Sequence, residues 1–366
     1  MKKPFQLFPI IVFLLLISAQ AAVTITGDTD PYTVDFSYVG NTSDGTLVID
    51  GDSTVSAHLC QIACNPGVTG TATVTGGGSW LLELPYAETP RLSVGEAGAG
   101  ELNILDGGYV KSSLGSIGYQ AGSTGVANVS GSGSLWDVDQ LLVGHAGFGE
   151  LNIDNAGKVV NRNIHIGNSS DSDGIVNVSG NDSKLSVDKF FYVGDINNGQ
   201  LNVSDGGAVE GGLFVEIGVW AGSHGTVTLT DAGSTWTNSD LLSVGAEGTG
   251  ELTIQNGAVV ESNRAYLGEE TGSDGTATIQ GSGSAWNCNE LYVGAKSTGE
   301  LNIVDSATMS ITGQTRIGYY TDGVGTIHFD AGTLSTGGIT YSSPDQLTGI
   351  GTIHANGLVT YVDQIF

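Results

Sequence analysis

The chain has 366 residues and a formal charge of −27, with 11 Lys and Arg against 38 Asp and Glu. That balance excludes a nucleic-acid partner, which would need clustered cations to meet phosphates, and it disfavours adsorption to anionic lipid. Three cysteines cannot staple a chain of this length, so its core has to come from packing.

The chain opens on a leader. Lys2 and Lys3 precede an apolar run from Phe5 to Ile17 and the triplet Ala19-Gln20-Ala21, so residues 1–21 read as a signal peptide cleaved at Ala21-Ala22. The run is about thirteen residues, short of the roughly 20 that span a bilayer as a helix, and no integral membrane segment is expected after its removal. No Cys directly follows it, which speaks against lipid attachment there. Residues 22–37 then read as an amino-terminal cap.

Residues 38–333 hold about six copies of a unit of about fifty residues. One marker is an apolar-x-Val-Gly tetrad whose glycines, Gly95, Gly144, Gly194, Gly245 and Gly294, are spaced 49, 50, 51 and 49 apart. A second series, mostly Ile-Gly, falls between them at Gly118, Gly167, Gly218, Gly268 and Gly318. A worn first copy carries Gly40 and Ile62-Ala63, and Glu83 to Pro90 reads as a loop inserted into it. Gly-Glu-Leu-Asn-Ile at 149–153 resembles Gly-Ile-Val-Asn-Val at 174–178, so each copy divides into halves of about 25 residues. A six-bladed propeller also suits units of fifty residues, but a four-stranded blade has no reason to repeat at 25. The fold expected is therefore all-β, a right-handed parallel β-helix of about twelve coils with roughly 25 residues per coil. Residues 334–366 read as a worn final coil or cap.

Stacking the halves predicts two apolar columns, from Leu47, Ala72 and Leu102 to Ile327, and from Ile49, Val74 and Ile104 to Phe329. Between them an outward ladder runs through Asn103, Asn128, Asn152, Asn177 and Asn202, with Thr in other copies. Glu101, Glu150, Gln200, Glu251 and Glu300 recur every second coil, which keeps like charges about 9.6 Å apart. Trp136, Trp236 and Trp286 share one place, with Leu185 substituting and Trp80 in a shortened version, which reads as packing; Cys288 aligns with Val138 and Val187 as a buried apolar position.

Segments such as Gly-Ser-Gly-Ser-Leu-Trp at 131–136, Leu-Leu-Val-Gly at 141–144 and Gly-Glu-Leu-Asn-Ile at 149–153 resemble the repeat associated with PEP-CTERM and autotransporter (type V secretion) proteins. The resemblance covers roughly residues 38–333 and implies an adhesin-like parallel β-helix on the outside of a Gram-negative-type bacterium, with no catalytic residues to carry over. Neither a PEP-type sorting tail nor a barrel follows the repeats; the sequence ends Asp363-Gln364-Ile365-Phe366.

No catalytic, cofactor-binding or metal-ligating residue stands out. His58, His145, His165, His224, His328 and His354 are scattered, without metal-ligand spacing, and read as surface residues. The recurring glutamates read as decoration, since an active site is expected to interrupt a repeat with unlike polar groups. Calcium is the one cation the turns Ser43-Asp44-Gly45, Asp171-Ser172-Asp173-Gly174, Ser273-Asp274-Gly275 and Thr321-Asp322-Gly323 offer ligands to, although Gly122-Ser123-Thr124-Gly125 and Gly222-Ser223-His224-Gly225 fill the same turn without Asp. A Cys60–Cys64 disulfide requires a turn between them, and would staple the amino-terminal coils. The function expected is a non-enzymatic structural or adhesin-like element, secreted or at the cell surface, with extracellular polysaccharide or surface proteins as partners. The alternative is a polysaccharide lyase or hydrolase, to be sought around Glu83, Tyr86 and Glu88.

Overall fold

The computed structural model describes residues 22–27, 29–30, 37–83, 89–357 and 359–361. The expected leader and residues 84–88 of the inserted loop, with Tyr86 and Glu88, lie outside the described residues. The chain is a parallel β-solenoid of about twelve turns with about 25 residues per turn. Each turn has three sides. The fourth turn, for example, runs along the first side as Thr124–Ser130 and then bends through the second and third as Leu135–Val143. Pairing between turns is parallel, and on the first side it keeps one register from Gly45 on Gly70 to Gly299 on Gly325.

Antiparallel strands cover the amino-terminal edge. Ala22–Gly27 pairs with Gly45–Asp50, and Thr29–Asp30 pairs with Ser37–Val39, which occupies edge groups that would otherwise template another chain. Toward the other end Val324–Tyr341 continues through the whole twelfth turn, burying Leu334 and Ile339, so the boundary expected at 333 falls inside a strand. No helix among the described residues is long and apolar enough to cross a membrane.

Both predicted apolar columns are buried along their length. Large and small side chains sit on neighbouring turns, as with Leu102 on Ala127, which fills the space at fixed backbone separation. The outward Asn ladder is a chain of side-chain hydrogen bonds: Asn128 Nδ2 donates to Asn103 Oδ1 (2.8 Å), Asn152 to Asn128 (3.0 Å), Asn177 to Asn152 (2.8 Å) and Asn202 to Asn177 (2.8 Å). Glu150 lies between Val126 and Ile175, so the first-side acids do stand two turns apart.

The marker glycines are a steric requirement. Gly95 has φ of 71°, and a Cβ there would collide with the Thr124 carbonyl oxygen of the next turn. The same collision recurs at Gly118 with Phe148 and at Gly144 with Asp173, so the corner admits no side chain at these places. In the worn first copy Ala63 holds the position at φ of 59°.

The second side carries a column that alternates more sharply than the sequence suggests. Val55, Trp80, Val110, Trp136, Val159, Leu185, Val209, Trp236, Val260 and Trp286 lie on successive turns, all buried. Each indole occupies the space left by the valine below it. Trp136 Nε1 donates to Ser112 Oγ (3.3 Å) and Trp286 Nε1 to Ser262 Oγ (3.1 Å), in both cases on the preceding turn. Beneath Trp80 and Trp236 the corresponding residues are Ala57 and Gly211, and both indole N–H groups lack a partner.

The three cysteines are thiols, with no disulfide between Cys60 and Cys64. The turn between them exists, but it leaves Cys60 pointing into the core and Cys64 half-buried beyond the corner. Burial pushes the Cys60 thiol up to about 12, and does the same to Cys288, which packs in the core as expected.

The packing and the buried thiols set three expected outcomes. Ala57→Ser should give Trp80 an acceptor and add about 1 kcal/mol of stability, whereas Ser262→Ala should orphan Trp286 and cost about 1–3 kcal/mol, both read as urea-midpoint shifts at unchanged slope. Iodoacetamide should alkylate Cys64 of the native protein well before Cys60 or Cys288, as followed by mass spectrometry.

Candidate functional site

The first side is nearly invariant, and chemical variety gathers where the third side meets the next turn. The outer positions there hold His165, Tyr192, Glu216, Ser243, Tyr266 and Tyr292 on successive turns, with Ser243 buried beneath its neighbours. The corner after each marker glycine adds Tyr119, His145, Asp195, Trp220, Glu269 and Tyr319. Together they form a ridge along the axis.

Its lower part is tightly paired. Tyr119 and His145 stack with centroids 4.8 Å apart, Arg91 lies over the Tyr119 ring at 4.3 Å, and Arg91 also meets Glu96 at 3.5 Å. His165 Nδ1 is 2.7 Å from Asp195 Oδ2, which also accepts from Asn168 Nδ2 at 2.7 Å. The upper part is a ladder of tyrosines: Tyr266 and Tyr292 stack at 4.5 Å, Arg316 covers Tyr292 at 4.9 Å, and Tyr319 and Tyr320 are about half exposed.

Between them lies a groove of about 310 Å³, lined by Tyr192, Glu216, Trp220, Glu247, Glu269 and Glu270 among others. Trp220 is 53% exposed, the most solvent-accessible tryptophan described, whereas Trp80, Trp136, Trp236 and Trp286 are wholly buried. Glu270 is paired with Lys296 (2.5 Å), but among the described residues neither Glu216 nor Glu247 forms an ion pair. Burial, reinforced by Glu269, Glu247 and Asp195, pushes the Glu216 carboxyl up to about 7. Burial also raises Glu269, and it pushes Tyr192 up to about 12, with the charges of Glu216 and Asp195 adding to it. The groove thus offers an aromatic face, a carboxyl raised to about 7, and further carboxyl oxygens beside it.

The residues singled out by sequence mostly lie elsewhere. Glu101, Glu150, Glu251 and Glu300 line the first side and never converge. Asp44, Asp173 and Asp274 share one column but are several turns apart; Asp44 Oδ1 accepts from the Thr69 N–H (2.8 Å) and Asp173 Oδ1 from Asn198 Nδ2 (2.9 Å). No group of three or more His, Cys, Asp or Glu able to hold a metal ion occurs among the described residues. The histidines correct the surface reading: His58 is buried, His145, His165, His224 and His328 are half-buried against partners, and His354 is the exposed one. Glu83 meets Lys111 at 3.5 Å on the surface. The groove residues escaped because the residue type in their columns changes from turn to turn; Trp220, two residues after marker Gly218 where other turns have Ala97, Gln120 or Ala146, was the available signal.

No family model matches the chain, and no solved structure matches it. The chain is 30% identical over 212 residues to the uncharacterized lipoprotein YdeK of Escherichia coli (strain K12). That stretch is 57% of this chain and spans 12% of the length of that relative.

The raised Glu216 carboxyl has a defined effect on stability. Its folded value lies above the ordinary 4.5, so the folded state holds the proton more tightly; the contribution is complete below about 4.5 and is lost as pH rises through about 7. The thermal midpoint should therefore fall over about pH 5 to 8, and Glu216→Gln should flatten that part of the profile.

Proposed function

We propose that this protein is an exported β-solenoid of the bacterial envelope that holds extracellular glycan along the ridge of its third side, as an adhesive or matrix element without catalysis. The observation that carries this is the exposed Trp220 beside the groove, flanked by Glu216 and Glu247, which form no ion pair among the described residues. An exposed indole supplies a flat apolar face for the C–H side of a sugar ring, and carboxylates accept its hydroxyls. The neighbouring tyrosines, Tyr266 stacked on Tyr292 and Tyr319 edge-on to Tyr320, extend the same chemistry along the axis. Export is supported by the leader-like start and by the lipoprotein relative, and the autotransporter-type repeat resemblance gives the finer reading of a surface protein. With a charge of −27 the partner is a neutral or amine-bearing glycan rather than an anionic one.

One observation favours a second reading. A carboxyl held near 7 in a groove is what a general acid needs, and Glu216 in that role would make the protein a glycan hydrolase.

Incubation with neutral, amine-bearing and anionic polysaccharides, recording both retention and new reducing or unsaturated ends, separates the two. Retention of neutral or amine-bearing polymer without cleavage is expected, weakened about tenfold or more by Trp220→Ala, because truncating an aromatic anchor costs on the order of 2 kcal/mol. Saturable cleavage that Glu216→Gln abolishes would replace the adhesive reading with the hydrolytic one. Absence of both retention and cleavage for every polymer would remove both readings.

A further inference from the structure

A second groove, of about 230 Å³, lies at the bend between the second and third sides, on turns two to six. Asn161 lines it and is 3% exposed, and neither its Oδ1 nor its Nδ2 has a hydrogen-bond partner. Its neighbours in the inward column are Val138 below and Val187 above, which give the amide nothing to bond. The other polar members of that column are satisfied. Ser112 and Ser262 accept from indoles, Asn238 bonds the Leu241 carbonyl (2.6 Å) and the Asp240 N–H (2.7 Å), and Thr336 donates to the Gly338 carbonyl (2.7 Å). An orphaned buried amide is destabilising, and valine would fill the place without that cost.

The repeat is also interrupted here. The register slips between Asn161 and Asn163, because Asp188 and Lys189 put one extra residue into the facing bend, and Asn163 Oδ1 is a further buried acceptor without a donor. The rim holds charges of both signs: Asp139 and Arg162 form an ion pair of 3.2 Å with both side chains 52% exposed, and Asp188 lies beside them, in no ion pair among the described residues.

We propose that this bend is a binding site for a neutral saccharide unit with adjacent hydroxyl groups, separate from the ridge that carries Trp220. A carboxamide presents one acceptor and one donor side by side, which two neighbouring hydroxyls complement: one donates to Asn161 Oδ1 and the next accepts from Nδ2. Asp188 and Asp139 accept from further hydroxyls, and Arg162 donates to a ring or hydroxyl oxygen. Entry displaces the Asp139–Arg162 pair, which is cheap because an exposed ion pair contributes little. The rim carries Lys111 and Arg162 against Asp137, Asp139 and Asp188, a near balance that favours an uncharged ligand, and the orphaned amide is stability given up for recognition.

The test is calorimetric titration of the full protein with linear hexaoses of glucose, mannose, galactose and N-acetylglucosamine. At least one should bind. Asn161→Val should weaken that binding about tenfold or more while raising the thermal midpoint, and Arg162→Ala, at the exposed rim, should weaken it without disturbing the core. Repeating the titration in a Trp220→Ala background removes the contribution of the ridge, and the binding lost with Asn161→Val should persist there, which separates the two sites. Failure of every hexaose to bind, equal affinity for Asn161→Val, or a lower midpoint for that variant would overturn the assignment.

Discussion

The spacing of hydrogen-bonded turns, about 4.8 Å, is the constraint from which the rest of this structure follows. It is enforced where the marker glycines let the backbone of one turn lie against the carbonyl of the next, as Gly95 does on Thr124. Once every turn sits directly on its neighbour, each residue has a fixed counterpart above and below. Side chains are then selected column by column: apolar columns must alternate in volume, amides can chain as Asn103 to Asn202 do, and carboxylates must skip a turn.

This explains how the three sides divide their labour. The first side repeats one solution almost without change, because its inward glycine and two apolar columns leave little freedom. The outer positions of the third side and its corner carry no such restriction, and there Tyr192, Glu216, Ser243 and Tyr266 succeed one another. A rigid first side thus holds a variable ridge in place. The ridge groups come from turns that are consecutive in space, so a groove needs no long loop to assemble it.

The same reasoning shows why the architecture was legible and the sites were not. A period of 25 residues with Leu and Ile at fixed places exposes the columns directly, and the buried tryptophans were recognisable because Leu185 shares their place. The valines between them were not, since Val110 and Val159 belong to alternate turns whose flanking residues differ. Groove residues have no periodic signature: Glu216 is a single carboxylate among tyrosines and serines, and its burial comes from residues one or two turns away. Asn161 carries no signal of its own in the sequence, because only its place between Val138 and Val187 marks its amide as buried without a partner. The histidines were misplaced for a related reason, because burial at a corner depends on the adjoining turn; His58 lies just before a third-side strand, under Arg91 and its neighbours in sequence rather than in solvent.

The alternation of tryptophan and valine along the second side also governs how such a chain can change length by duplication or loss of gene segments. Removing the turn that holds Val159 would set Trp136 directly against Leu185, and removing the turn that holds Trp136 would leave Val110 facing Val159 across a void. Deleting both turns together restores the pattern. The heritable module is therefore the pair of turns, and copies can be gained or lost in steps of about fifty residues although the structural repeat is half that size.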